Sequence, residues 1–374
     1  MAFSAEPLLG GELFDSAARF AESADLRMAH LTDPVARATM RERFWQETLG
    51  LGWAGVVIPE ELDGAGGGLL DLAAILEGCG RFALPVPALA AFGVAPFLID
   101  SLGGIRRRPI LKEIANSRML ICPVLELLDG PQSLARSKAN ALTKADGNLI
   151  ILEGDILGVE AIPGATHYLL ACQVSGESAL YLLPAKTAGV GTTARLRMDG
   201  RASVDIHFDA VTLDPQWALA AGDNVRIEVE RTRDEAAVLA SVEIVAAMGA
   251  LLEQTISYLS QREQFGVKLS SLQVLRHYVA DMYAAYANLR ALVVHVIEII
   301  ARDGDPPLEG TSLVKLRLSD VSRFVAHTAI QVHGGMGITE ELQAARLAKR
   351  ILMADFEYGD GIFHAERLLA SRTG

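Results

Sequence analysis

The sequence predicts an α+β protein that is mostly helical, with an N-terminal helical domain (1–118), a middle antiparallel β domain (119–222) and a C-terminal four-helix bundle (223–374). Apolar residues recur at helical spacing from Gly11 to about Ser117 and again from about Glu228 onward. Between these zones they come as short runs bounded by Gly, Pro and Asp. Blocks of one period, in place of strand–helix alternation, exclude a parallel Rossmann sheet as the main architecture.

In the first zone "ATMRERFWQETLGLGWAGV" and "LLDLAAILEGCGRFAL" carry the helical period, and "PEELDGAGGG" and "ALPVPAL" interrupt it. In the middle zone "NLIILEG", "HYLLACQV" and "ALYLLPA" predict strands. "SVDIHFDAV" alternates, with Val204, Ile206 and Phe208 on one face and Asp205, His207 and Asp209 on the other, as a half-buried antiparallel strand should. His207 on that polar face is read as solvated. In the last zone "AAVLASVEIVAAMGALLEQTISYLSQR" predicts one long helix. "SLQVLRHYVADMYAAYANLRALVVHVIEIIARD" predicts a second that stops at "GDPP". "SLVKLRLSDVSRFVAHTAI" and "LQAARLAKRILMADF" predict two more. These helices are apolar around much of their circumference, which points to packing on several sides and to a subunit interface.

Composition narrows the function. Hydrophobic residues make up 51% of the chain and charged ones 21%, so the chain buries a core. The net charge is −12 and no Lys/Arg block exists, which argues against nucleic acid and against an anionic membrane surface. The densest basic spot, Arg106 to Arg108, reads as a solvated helix start. Cys79, Cys122 and Cys172 are far apart, with no C-x-x-C, and read as buried small hydrophobes in a reducing cytoplasm, with no metal site. No basic segment followed by an apolar one marks a signal peptide at the start, and no apolar run is expected to span a bilayer.

Two segments carry chemistry. "QVHGGMGITEE", Gln331 to Glu341, places glycines between two helices with no strand feeding them. Glycine there either caps a helix C-terminus or lets backbone N–H groups approach an anion. "SQREQFGVKLSSLQ", Ser260 to Gln273, closes a long helix with Arg262, Gln264, Phe265 and Gly266. That cluster reads either as a helix C-cap or as a ligand grip. In the second case the Arg262 fork meets phosphate, the Phe265 ring stacks, and Gln264 and Gln273 supply amide hydrogen bonds.

Together these segments resemble the C-terminal domain of the acyl-CoA dehydrogenase family. Its R-x-x-F-G element is met by Arg262, Phe265 and Gly266, and its Q-x-x-G-G element by Gln331, Gly334 and Gly335. "LGWAGVVIPEELDGAGGGLLDLAAILEGCGR" is similar to the family's glycine-broken N-terminal segment, so the resemblance covers nearly the whole chain. It implies the family's helix–β–helix fold and FAD as cofactor. It also implies that the two elements hold the ADP half of FAD from different subunits across an interface. The implied reaction is α,β-dehydrogenation of an acyl-CoA substrate, with electron-transferring flavoprotein as acceptor.

The sequence departs from the family pattern at two places. A Thr-Glu-Pro loop that meets the flavin ring is absent from "MLICPVLELLDGPQSLA". A carboxylate must take the substrate's α proton, yet neither usual position holds a Glu in register. In "DFEYGDGIFHAERL" Tyr358 precedes Gly359, Glu357 stands one step earlier and Asp360 replaces the Thr. The alternative position, at the start of the helix ending in Arg262, falls on Ala236, beside Glu235 and Asp234. Glu243, mid-helix among apolar residues, is the leading candidate base, with Glu357 second; a buried Glu paired with an Arg, or a Glu on an otherwise exposed strip, are the other readings of Glu243. The pattern resembles the partner subunit of a heteromeric (α2β2) enzyme acting on bulky, steroid-derived thioesters. A homotetramer with its own Glu, or an inactive structural member, are the alternatives.

Overall fold

The computed structural model describes residues 3–31, 33–128, 142–146, 149–339 and 341–373. Helices come first: α1 (Gly11–Met28), α2 (Pro34–Leu49), α3 (Leu69–Gly80), α4 (Ala95–Leu102) and α5 (Arg107–Ala115). Strands follow: β1 (Ile121–Val124), β2 (Leu142–Asp146), β3 (Leu149–Glu160), β4 (His167–Val174), β5 (Glu177–Pro184), β6 (Val190–Leu196), β7 (Ala202–Leu213) and β8 (Ala218–Ala221). Then come α6 (Asp223–Gln261), the hairpin β9 (Glu263–Gln264) and β10 (Val267–Lys268), α7 (Gln273–Asp303), α8 (Leu308–His333), α9 (Gln343–Met353) and α10 (Gly361–Thr373). The predicted helix–β–helix order is the observed one.

Contacts divide the chain into two compact units. One comprises Arg41–Leu72 and Pro85–Ala236. Its strands form two four-stranded sheets, ordered β1-β4-β5-β8 and β2-β3-β7-β6. The expected alternation in β7 is present: Ile206 and Phe208 are buried and His207 is exposed, its Nδ1 2.7 Å from Asp155 Oδ1. Ala210 at φ 48° then shifts the pattern, so Val211 and Leu213 are the next residues buried. The sheets are antiparallel except at one place, where β1 lies parallel to β4. A parallel neighbour needs a long crossover, and here β2 and β3 lie between the two strands in sequence. In this unit Trp45 of α2 stacks on Phe92 (5.5 Å, 8° between planes) and donates Nε1–H to the Pro163 carbonyl at 2.9 Å.

The other unit comprises Met1–Met40, Ala73–Leu84 and Ala237–Gly374. Helix ends follow their sequence signals. Gly304 terminates α7 in the left-handed region at φ 81°, ahead of Pro306 and Pro307. The glycines of "EGCG" serve close helix crossings. A Cβ on Gly78 would meet Ala17 Cβ at 2.7 Å on α1, and one on Gly80 would meet the Glu243 carbonyl oxygen at 2.1 Å on α6.

By length and composition α6 and α7 are apolar enough to cross a bilayer, which corrects the sequence expectation that no run is. In α6 that apolar stretch is 100% buried inside the protein, as for a core helix. In α7 only 33% of it is buried, which leaves an apolar face uncovered by this chain. Val274 and Tyr278, four residues apart near the start of α7, are exposed, and Tyr283 on the other side of the helix is half-exposed against Phe3.

We expect Gly80→Ala to lower the chemical-denaturation midpoint, with the unfolding free energy reduced by about 1–3 kcal/mol, the usual cost of overpacking a tight contact. Gly68→Ala, where an added Cβ meets nothing within 4 Å, should leave that midpoint nearly unchanged.

Candidate active site and cofactor grips

Both candidate base residues are buried in one ion-pair cluster. Glu243 projects from the middle of α6, and Glu357 follows the short 3₁₀ turn Ala354–Phe356 after α9. Arg350 of α9, 1% exposed, lies between them. Its Nε and Nη2 donate to Glu243 Oε1 and Oε2 at 2.9 and 3.2 Å. Its Nη1 and Nη2 donate to Glu357 Oε1 and Oε2 at 3.0 and 2.9 Å. Two bidentate forks on one guanidinium are the strongest geometry available to such a pair. Lys315 of α8, also 1% exposed, donates Nζ–H to the carbonyls of Ala354 at 2.9 Å and Glu357 at 2.6 Å. The formal charges of Glu243, Glu357, Arg350 and Lys315 cancel, which is what allows the cluster to stand in a core.

The same segment is pinned further along. Tyr358 stands before Gly359 at φ 54°, and its carbonyl accepts from His364 Nε2 at 3.0 Å. The Ser312 hydroxyl lies 3.3 Å from His364 Nδ1 and donates to it. Burial pushes the His364 pKa down to about 3; the Tyr358 carbonyl opposes this, and Lys315 and Arg367 add to it. Asp360 accepts from the Phe363 amide at 2.8 Å and caps α10. At the alternative base position, Asp234 and Glu235 are both buried, and Glu235 lies 3.4 Å from Arg231.

The grips predicted for a cofactor lie elsewhere. Glu243 is about five turns upstream of Arg262, roughly 28 Å along the axis of α6 at 1.5 Å per residue. Arg262, Gln264, Phe265 and Gln273 are all exposed. At the end of α6 the Arg262 amide still donates to the Tyr258 carbonyl at 2.8 Å, and the segment then forms a β-hairpin in which Gln264 pairs with Val267 across the two-residue turn Phe265–Gly266. Both turn residues have positive φ, 57° and 78°. Such turns match strand twist but suit Asn or Gly and not a bulky ring. The Phe265 ring is nonetheless 91% exposed. The backbone strain at Phe265 is thus not accompanied by burial of its ring.

Gln331 is exposed near the end of α8, and Gly334 follows at φ 61°, ψ −142°, a region open essentially to glycine alone. Gly335 has no positive φ, and a Cβ built on either residue meets no atom within 4 Å. This chain therefore imposes no steric limit at Gly335. Gly337 is the packed member, its notional Cβ 2.7 Å from the Ile330 carbonyl. Open glycine backbone, exposed amides, a guanidinium and an exposed ring fit the diphosphate and adenosine half of FAD.

Met119–Leu128, the first part of the region where a ring-contacting loop was sought, forms β1 and a turn; residues 129–135 lie outside the described residues. Among the described residues no group of three or more His, Cys, Asp or Glu could hold a metal ion.

The sequence reading missed Arg350, Lys315 and His364. Their signal was a charge inside an apolar stripe: Lys315 falls between Thr311 and Leu318, both buried on α8, and Arg350 between Leu347 and Ile351 on α9.

Family models for the acyl-CoA dehydrogenase N-terminal and C-terminal domains match residues 11–103 and 229–368. The chain belongs to the acyl-CoA dehydrogenase family. Its members are FAD-dependent oxidoreductases. The chain is 28% identical over 334 residues to acyl-CoA dehydrogenase IpdE2 of Mycobacterium tuberculosis, covering 85% of each chain. A variant of the Tcur3481-Tcur3483 steroid ACAD superposes with a TM-score of 0.80 at 24% identity over 96% of this chain and 98% of that one. The ChsE4-ChsE5 complex of Mycobacterium tuberculosis gives 0.81 at 18% identity over 98% and 99%.

Removing one member of the buried cluster should be costly. Glu243→Gln is expected to lower stability by about 3–5 kcal/mol in equilibrium unfolding, because Arg350 keeps its charge with one fork unmet. His364 stays neutral when folded but takes a proton near pH 6.5 when unfolded, so the unfolded state binds more protons between about pH 6.5 and 3. Stability should therefore fall as pH drops through that window, by at most about 1.4 kcal/mol per unit from this residue. A pH series of urea melts on His364→Gln should show a shallower slope.

Proposed function

We propose that this acyl-CoA dehydrogenase chain is a subunit of a heteromeric enzyme acting on a bulky, steroid-derived CoA thioester, and that a paralogous subunit supplies the catalytic base. The observation that carries the reading is the Arg350 cluster. Both carboxylates nominated as bases are buried and bound in bidentate forks by Arg350. A base must reach the proton it removes within about 2.6–3.2 Å or through one water. In the base register Tyr358 stands before Gly359, so a phenol takes the place of a carboxylate there.

The retained features are those that face outward. On this reading Arg262, Gln264, Phe265 and Gln273 hold the ADP half of one FAD, and Gln331, Gly334 and Gly335 cradle another from the opposite side of a subunit interface. FAD held there would supply the hydride acceptor for the β hydrogen of the thioester, with electron-transferring flavoprotein as the expected electron acceptor. The Arg262 guanidinium neutralises phosphate charge, and the Phe265 ring offers a stacking face. The uncovered apolar face of α7 supports burial in an α2β2 tetramer. The heteromeric and steroid-directed aspects draw support from the relatives named above as a two-protein complex and a steroid enzyme. Three buried free thiols suit a reducing cytoplasm.

The test is a visible absorption spectrum of the chain purified alone and after co-expression with a neighbouring paralogue. Flavin at stoichiometric level only in the co-expressed complex is expected. There Arg262→Ala should weaken FAD binding by about 1.5–3 kcal/mol in a dilution titration. A chain that is yellow and dehydrogenates an acyl-CoA by itself would overturn the heteromer, and absence of flavin under both conditions would indicate a structural role.

A further inference from the structure

We infer that Tyr258 and His333 form a coupling contact between the two cofactor grips of this chain, so that the hairpin Glu263–Lys268 and the loop Gly334–Ile338 order together. The inference rests on the cofactor reading above for its ligand, while the contact itself stands on geometry. Tyr258 lies one turn before Arg262 on α6, and its carbonyl accepts the Arg262 amide at 2.8 Å. His333 is the last residue of α8 and directly precedes Gly334. Their rings stack with centroids 4.6 Å apart and 29° between planes. The Tyr258 hydroxyl also donates to the His333 carbonyl at 3.3 Å.

His333 is held from both sides. Its Nδ1–H donates to the Ala329 carbonyl at 2.8 Å, which fixes the tautomer and the plane of the ring. The ring is 4% exposed. Beyond it the loop folds back, so that a Cβ on Gly337 would lie 3.0 Å from His333 Cβ. The loop is therefore shaped over His333, while open space surrounds Gly334 and Gly335 at its start. Tilting or removing either ring disturbs the last turn of α6 and the last turn of α8 at once. On the cofactor reading these two ends address FAD molecules on opposite sides of an interface, so the ring pair links neighbouring cofactor sites. Such coupling is reciprocal: a change made on one element must appear on the other.

Reciprocity supplies the test. Amide hydrogen exchange is measured on the cofactor-free full chain, and FAD affinity on the full chain with its co-expressed paralogue. Tyr258→Leu, a change on α6, should speed exchange of amides 334–338 at least fivefold and weaken FAD affinity at least tenfold. His333→Asn, a change on α8, should speed exchange of amides 263–268 by a similar factor. Tyr258→Phe keeps the stacked ring and should stay within threefold of the parent in both measurements. If each variant loosens only its own element, or if Tyr258→Phe is as impaired as Tyr258→Leu, the coupling contact is overturned. If Tyr258→Leu fails to fold by far-UV circular dichroism, the His333→Asn and Tyr258→Phe arms decide alone. A parent complex that binds no FAD would overturn the cofactor reading, while the exchange measurements would still decide the coupling.

Discussion

Arg350 is the constraint around which one compact unit of this protein is organised. Its guanidinium is buried, and it binds two carboxylates from segments more than a hundred residues apart. One is mid-α6, where the α3 glycine Gly80 presses against the Glu243 backbone. The other begins the segment that ends in α10. A buried pair contributes little net stability against a well-packed apolar alternative, but breaking it leaves an uncompensated charge and is heavily penalised. Its effect is thus to define one arrangement of α6, α9 and the Ala354–Asp360 segment and to exclude others. Lys315 and His364 complete the same task by binding that segment's carbonyls.

This constraint bears directly on chemistry. A general base needs a carboxylate that faces substrate and is free to accept a proton. Here the nearby carboxylates are both used to satisfy Arg350, and the residue in the base register is Tyr358. The outward-facing elements show the opposite character. Phe265 carries positive φ without burying its ring, and Gly334 takes up a glycine-only conformation beside open space. Glu243 and Glu357 are consumed within the chain, whereas the exposure of Phe265 and the open space at Gly334 have no counterpart among the described residues. The asymmetry fits a subunit that completes a site with a partner.

The sequence by itself determined the order of elements, because hydrophobic period is a local property: α7 ends at Gly304 and Ile206 and Phe208 face inward as the spacing requires. It pointed to the family as well, since R-x-x-F-G (Arg262–Gly266) and Q-x-x-G-G (Gln331–Gly335) are each a continuous run of residues. Local reading gave the Arg262 segment as a helix end or a ligand grip but not the hairpin that follows it, because Phe at positive φ defies turn preference and only the strand pairing of Gln264 with Val267 shows the hairpin. Tertiary structure alone decided the state of Glu243 and Glu357. A glutamate in an apolar helix looks the same in sequence whether it waits for a substrate or pairs with an arginine, because the partner, Arg350, is brought in by helix packing across a separation that no local pattern encodes.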